Sequence, residues 1–315
     1  MRLVILGAGA IGGAIGGLLA LAKREVLLLA RGAQLGAIRD GLRLDRPDGS
    51  VVVQVAAQDS REPVAWRDDD VLVIATKTQD VAEALRDQAA PPTIPIACAT
   101  NGLEAERIAL RHARDVYAMS LLLPTTHLTP GVVQVWSSPV PGAIDLGRYP
   151  DGAGEHAHAI AVELAAGGFD CEVRANPMAW KRVKLLSNLA NGAEALCGPA
   201  ARSSPLAARA RAEARACYAA AGLSCISDAD DEARRRTLQS RPHDSGGSTW
   251  QSLVRGRSLE IDYLNGEIAM LGRLHGVATP INEALQRVVA AAAHAGAKPG
   301  AMSLAELERR VLGNA

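Results

Sequence analysis

The segment Gly7-Ala8-Gly9-Ala10-Ile11-Gly12 constrains this chain more than any other. It joins a short apolar run, Arg2 to Leu6, to a small-residue stretch, Ala10 to Ala22, that can form a helix. A G-x-G-x-x-G turn in that context has a physical reason at each glycine. The first permits the tight turn, the second lets a pyrophosphate approach the backbone, and the third lets helix and strand pack closely. The helix N-terminus then holds negative charge with its free N–H groups. Glu25 to Ala30 is a second apolar run and completes a βαβ unit. Gly7, Gly9, Ala10, Ile11 and Gly12 are therefore candidate dinucleotide-binding residues.

The end of the second strand selects the dinucleotide. An NAD site usually places Asp or Glu there to accept hydrogen bonds from the ribose 2′-OH, whereas this strand ends Leu29-Ala30-Arg31. A guanidinium suits a 2′-phosphate, so Arg31 points to NADP(H). Two further loops leave the carboxyl ends of strands, Thr76-Lys77-Thr78-Gln79 and Thr100-Asn101-Gly102. Lys77 is a candidate for cofactor phosphate or substrate carboxylate and Asn101 for ribose or substrate, and each also fits a plain turn residue or helix cap.

The rest of the first half reads as a doubly wound sheet. Gly41 to Asp45 and Ser50 to Val55 flank the turn Arg46-Pro47-Asp48-Gly49, a hairpin signal. Val71 to Ala75 and Ile94 to Ala99 are continuous apolar runs around a helical stretch, Asp80 to Ala90, the pattern of strands buried on both faces. From Val116 to Gly147, short β-rich runs broken by prolines suggest antiparallel strands closing the sheet edge, followed by a helix over Gly154 to Gly167. After Phe169 to Val173 strand signals nearly vanish, and Met178 to Leu196, Leu206 to Ala221, Asp228 to Ser240, Trp250 to Leu274 and Pro280 to Ala295 read as helices. The expected architecture is α/β, a Rossmann-type domain over 1–175 followed by an all-helical substrate and catalytic domain over 176–315. The charged stretch Asp228 to Arg236 reads as a solvated helix face.

Composition narrows the partners. Lys+Arg and Asp+Glu each number 34, so no net field attracts nucleic acid or an anionic membrane. Leu3 to Ala22 carries no charge and could span a bilayer by length, but six glycines interrupt it and a strand follows at once. Five scattered cysteines without a C-x-x-C pair fit a reducing cytoplasm, and the seven histidines show no ligand spacing, so no metal is expected. No G-x-S-x-G elbow is present. A homodimer is the expected assembly, although no sequence feature fixes it.

The second half carries a polar stripe. On a continuous helix Lys184, Asn188 and Asn191 fall at i, i+4 and i+7, sharing a face about 60° wide. A lysine flanked by carboxamides can protonate a forming alkoxide while the amides fix the substrate. The same pattern also fits an amphipathic helix with a wet face, and Lys181, close to that face, is a rival donor. Gly246-Gly247-Ser248 opens another helix, with Ser248 as the expected N-cap. Continuous geometry sets Ser248 and Glu260 about 120° apart, so their convergence needs Ser248 ahead of the helix or a break near Gly256.

Together the glycine turn with Arg31, the Lys77 loop, Asn101-Gly102, Lys184-Leu-Leu-Ser-Asn188 and Glu260-Ile-Asp-Tyr-Leu-Asn-Gly266 resemble the ketopantoate reductase (2-dehydropantoate 2-reductase) family across essentially the whole chain. The resemblance implies an NADPH-dependent reduction of a small 2-oxo acid, 2-dehydropantoate, within pantothenate biosynthesis. It further implies that Lys184 is the general acid, that Glu260 anchors the substrate hydroxyl and helps set the lysine, and that Asn101, Asn188 and Ser248 bind substrate or nicotinamide ribose. Two departures stand out. The family's second Asn follows the first by four residues, whereas Asn191 follows Asn188 by three, and the Lys77 loop has Asp80 where the family commonly has Gln, offering Gln79 instead. A reductase of another 2-oxo acid or imine, and a non-catalytic NADP sensor, are the competing readings; a sensor needs no proton donor.

Overall fold

The structure is a computed structural model that describes residues 1–241 and 246–313. The chain divides into two compact units, 1–181 with the described residues from Ser227 to Arg241, and 182–226 with those from Gly246 onward.

The first unit begins β1 (Arg2–Leu6), α1 (Ala10–Leu21), β2 (Val26–Ala30), α2 (Gly32–Asp40), the hairpin β3 (Leu42–Arg46) and β4 (Gly49–Val53), then β5 (Ala56–Asp59) and β6 (Asp70–Ile74). It continues with α3 (Val81–Gln88), β7 (Ile96–Cys98), α4 (Ala105–Ala109), β8 (Val116–Leu122), β9 (Thr125–Thr126), β10 (Val132–Val135), β11 (Ala143–Arg148), α5 (Ala157–Ala166) and β12 (Asp170–Val173). The main sheet has the order β12-β11-β8-β7-β6-β1-β2-β5. Neighbours from β5 to β8 are parallel, β8 and β11 antiparallel, and β11 and β12 parallel. Every residue of β6 and β8 is buried, as the unbroken apolar runs require of strands covered on both faces. One face packs on α1 and α5, the other on α3 and α4.

A second sheet, β4-β3-β10-β9, covers the outer side of α1. Its presence explains the glycines of that helix. A methyl at Gly16 would lie 2.4 Å from Leu28 Cδ2 of the main sheet, and one at Gly17 would lie 2.8 Å from Leu44 Cδ2 of the small sheet. Helix α1 is thin because it is clamped from both sides, and no helix among the described residues is long and apolar enough to cross a membrane. The strands from Val116 onward thus do not all close the main sheet edge as expected: β8 continues the parallel run, and β9 and β10 leave for the small sheet.

The second unit follows α6 (Pro177–Asn188), which starts in the first unit, and comprises α7 (Asn191–Cys197) and α8 (Pro205–Ala220). The chain then returns to the first unit for α9 (Asp228–Arg236), and resumes with α10 (Ser248–Val254), α11 (Asn265–His275), α12 (Pro280–His294) and α13 (Leu304–Leu312). The contacts therefore group α9 with the sheet rather than with the helices around it in sequence. Arg234 is the reason: most of α9 is exposed, as expected of a solvated face, and this one residue is the exception. Its side chain is buried, with Nε 3.1 Å from Asp145 Oδ2 on β11 and Nη1 2.5 Å from Asp170 Oδ2 on β12.

Candidate functional site

The carboxyl edge of the main sheet has a reversal. From β1 the chain moves outward to β2 and β5, then returns past β1 to β6, so the connections diverge between β1 and β6. Ligands of open α/β sheets bind at such a point. The glycine turn lies there, and each glycine has its own reason. Gly7 has φ +104°, and a methyl on it would lie 2.9 Å from Ala75 C and Thr76 N after β6. A methyl at Gly12 would lie 2.0 Å from the Gly7 carbonyl oxygen. Gly9 precedes α1 as its N-cap, and a methyl there would meet nothing within 4 Å. The open space over Gly9 and the unpaired first N–H groups of α1, from Ala10, Ile11 and Gly12, suit a dinucleotide pyrophosphate.

Arg31 follows β2 and is the N-cap of α2, exposed and without an ion pair among the described residues. Lys77, half-buried, follows β6 and precedes a 3-10 turn, Thr78–Asp80. The buried Thr78 donates from Oγ1 to Asn101 O at 3.1 Å, tying the Lys77 loop to the Asn101 loop after β7. Gly7, Gly9, Gly12, Arg31, Lys77 and Asn101 thus share one sheet edge.

The helical unit corrects the sequence reading in two places. The helix expected over Met178 to Leu196 breaks at residues 189–190, so Lys184 and Asn188 keep their i, i+4 relation on α6 while Asn191 opens α7. Asn191 leaves the stripe, and its Oδ1 accepts from Arg202 Nη2 at 2.8 Å. Asn188 is buried and Lys184 half-buried. The helix expected over Trp250 to Leu274 also breaks: α10 ends before Gly256 (φ +60°), and Glu260 precedes a 3-10 turn, Ile261–Tyr263. That break removes the 120° restriction between Ser248 and Glu260. The N-cap of α10 is Gly247, not Ser248, which is the helix's first residue and exposed.

Lys181 does not share the environment of Lys184. Its Nζ forms a short ion pair with Glu106 Oε1, and both side chains are buried, 3% and 0% exposed. A lysine held this way has no access to a reacting oxygen. Neither Glu106 nor the Thr78 bridge has a periodic signal in the sequence, since each acts across a long separation. Cys98 is no nucleophile: burial, with Glu106 adding to it, pushes its thiol well above the ordinary range. No disulfide joins any of the five cysteines, all of which lie among the described residues. Among the described residues no three His, Cys, Asp or Glu side chains gather to hold a metal, and His243 lies outside those residues.

A family model described as "Ketopantoate reductase PanE/ApbA" matches residues 3–151, and one described as "Ketopantoate reductase PanE/ApbA C terminal" matches residues 178–293. The 2-dehydropantoate 2-reductase of Halobacterium salinarum is 28% identical over 313 residues, spanning 92% of this chain and 98% of its own length. A PanE/ApbA family ketopantoate reductase from Ralstonia eutropha JMP134 superposes with a TM-score of 0.78 at 27% identity, covering 94% of this chain and 99% of that one. D-mandelate dehydrogenase, solved with NADH and anilino(oxo)acetate, gives a TM-score of 0.80 at 22% identity over 94% and 99% of the two chains. At that identity the likeness is one of fold.

Proposed function

The chain belongs to the ketopantoate reductase family, a family of oxidoreductases, and we propose that it reduces a small 2-oxo acid, 2-dehydropantoate, to the 2-hydroxy acid with NADPH. The observation that carries this reading is a glycine turn open to a pyrophosphate beside a strand followed by the ion-pair-free Arg31. Gly7, Gly9, Ala10, Ile11 and Gly12 would hold the pyrophosphate, Arg31 and Lys77 the phosphate charges, and Asn101 the nicotinamide ribose or the substrate. Bound NADPH supplies the hydride that reaches the keto carbon.

As that carbon gains the hydride, the C=O π pair moves onto oxygen, and Lys184 Nζ delivers a proton there. Asn188, one turn further along α6, can donate from its amide to the same oxygen or to a neighbour. Glu260 accepts from the substrate hydroxyl and helps set Lys184. Ser248 offers a hydroxyl to the substrate. We assign Asn191 to packing through Arg202. Five cysteines without a disulfide suit a reducing cytoplasm, where we place the protein as a homodimer.

Coenzyme binding tests the cofactor half of the reading. Arg31→Ala should weaken NADPH by about 10- to 100-fold, the loss of a charge-assisted contact, and leave NADH unchanged. Fluorescence titration of both coenzymes checks this, and equal weakening of the two would remove Arg31 from 2′-phosphate recognition. The second reading, a reductase of a different 2-oxo acid, is favoured by the displaced Asn191, and a panel of 2-oxo acids separates the two.

A further inference from the structure

Arg202 lies in the 3-10 turn Pro199–Ser203 that follows α7. Its guanidinium meets three pieces of chain. Nη2 donates to Asn191 Oδ1 at 2.8 Å and to Glu194 Oε2 at 2.6 Å, both on α7. Nη1 reaches Ser187 O at 3.4 Å, on the last turn of α6 and next to Asn188. The third piece, the entry to α10, lies close without a bond: a methyl added at Gly247 would be 3.2 Å from Arg202 Nη2 and 3.3 Å from Glu194 Oε2. The backbone just before Ser248 therefore lies close to the Arg202–Glu194 pair.

We propose that Arg202 is a positioning residue that presets Asn188 and Ser248 for the substrate, by bonding the end of α6 to the start of α7 and backing the entry to α10 with one planar cation. This rests on the reading of Asn188 and Ser248 as substrate ligands. The chemistry explains each partner. The last carbonyls of α6 have no intrahelical acceptor role to fill, and a cation there is favourable to the helix dipole. Glu194 is only 12% exposed and offsets the charge, so the guanidinium is oriented and does not act as a free anion trap. Three acceptors at fixed angles need the planar fork of arginine, which a lysine ammonium on a flexible stem cannot reproduce.

The test is steady-state kinetics with NADPH and 2-dehydropantoate on Arg202→Lys and Gly247→Ala, beside NADPH affinity and the thermal midpoint. Gly247 has φ −62°, which alanine adopts freely, so its added methyl acts only by displacing the Arg202–Glu194 pair. The KM of Arg202→Lys should rise about 10- to 100-fold with a smaller change in kcat and unchanged NADPH affinity. Gly247→Ala should move KM in the same direction, and Arg202→Lys combined with Asn188→Ala should be strongly non-additive. An unchanged KM in both single variants of a protein that turns over overturns the positioning role alone. Loss of folded protein at unchanged KM marks Arg202 as purely structural. A wild-type protein that reduces no 2-oxo acid overturns the functional reading, and the positioning role falls with it.

Discussion

Lys184→Ala is expected to lower turnover by about 10² to 10⁴ while leaving NADPH affinity unchanged. The size follows from the role: without a positioned acid, the developing alkoxide must take its proton from water. The constancy of binding is expected because the glycine turn and Arg31 belong to the first unit and Lys184 to the second. Stopped-flow turnover alongside coenzyme titration checks both halves. Full activity in this variant would move the proton elsewhere, and Lys181 would not inherit it, because its ammonium is committed to Glu106.

That ion pair gives the second large effect. Lys181→Met should destabilise the protein by about 3 to 5 kcal/mol, because it strands a fully buried carboxylate. Glu106 Oε2 already has no hydrogen-bond partner among the described residues, so the pair with Lys181 is the carboxylate's main compensation. The double variant Lys181→Met/Glu106→Leu should recover most of the loss, since an apolar pair of similar volume removes both buried charges together. Urea unfolding of the three proteins measures this. A single variant as stable as wild type would mean that the carboxylate finds another partner or a proton.

What could be read from the sequence divides along physical lines. The β1-turn-α1 unit was legible because periodicity and glycine chemistry agree, and the structure constrains Gly7 and Gly12 sterically while leaving open space over Gly9. The hairpin β3-β4 was legible locally, yet its sheet was not. β3 pairs with β10, almost ninety positions later, and nothing local encodes that pairing. Helix α2 carries only Leu35 and Ile38 as a buried face, too little for a periodic signal. Helix α13 does carry a local signal: Ser303 and Glu306 form the S-x-x-E pattern, and Glu306 N donates to Ser303 Oγ at 3.2 Å.

The site shows the same divide. The i, i+4 spacing of Lys184 and Asn188 holds because both lie inside one helix. That of Asn191 does not, since Leu189 and Ala190 are ordinary helix residues and the break depends on distant side chains. Asn265 Nδ2 takes the Leu189 carbonyl at 3.1 Å, and Arg202 reaches that of Ser187. The break at Gly256 was foreseeable as a possibility from glycine alone, and its φ of +60° realises it.

The central claim is tested most directly by mixing the purified protein with NADPH and 2-dehydropantoate and following coenzyme oxidation, beside NADH and other 2-oxo acids. The account predicts fast oxidation with that pair and slower reaction with NADH or other acids. Tight NADPH binding without turnover on any 2-oxo acid would contradict it.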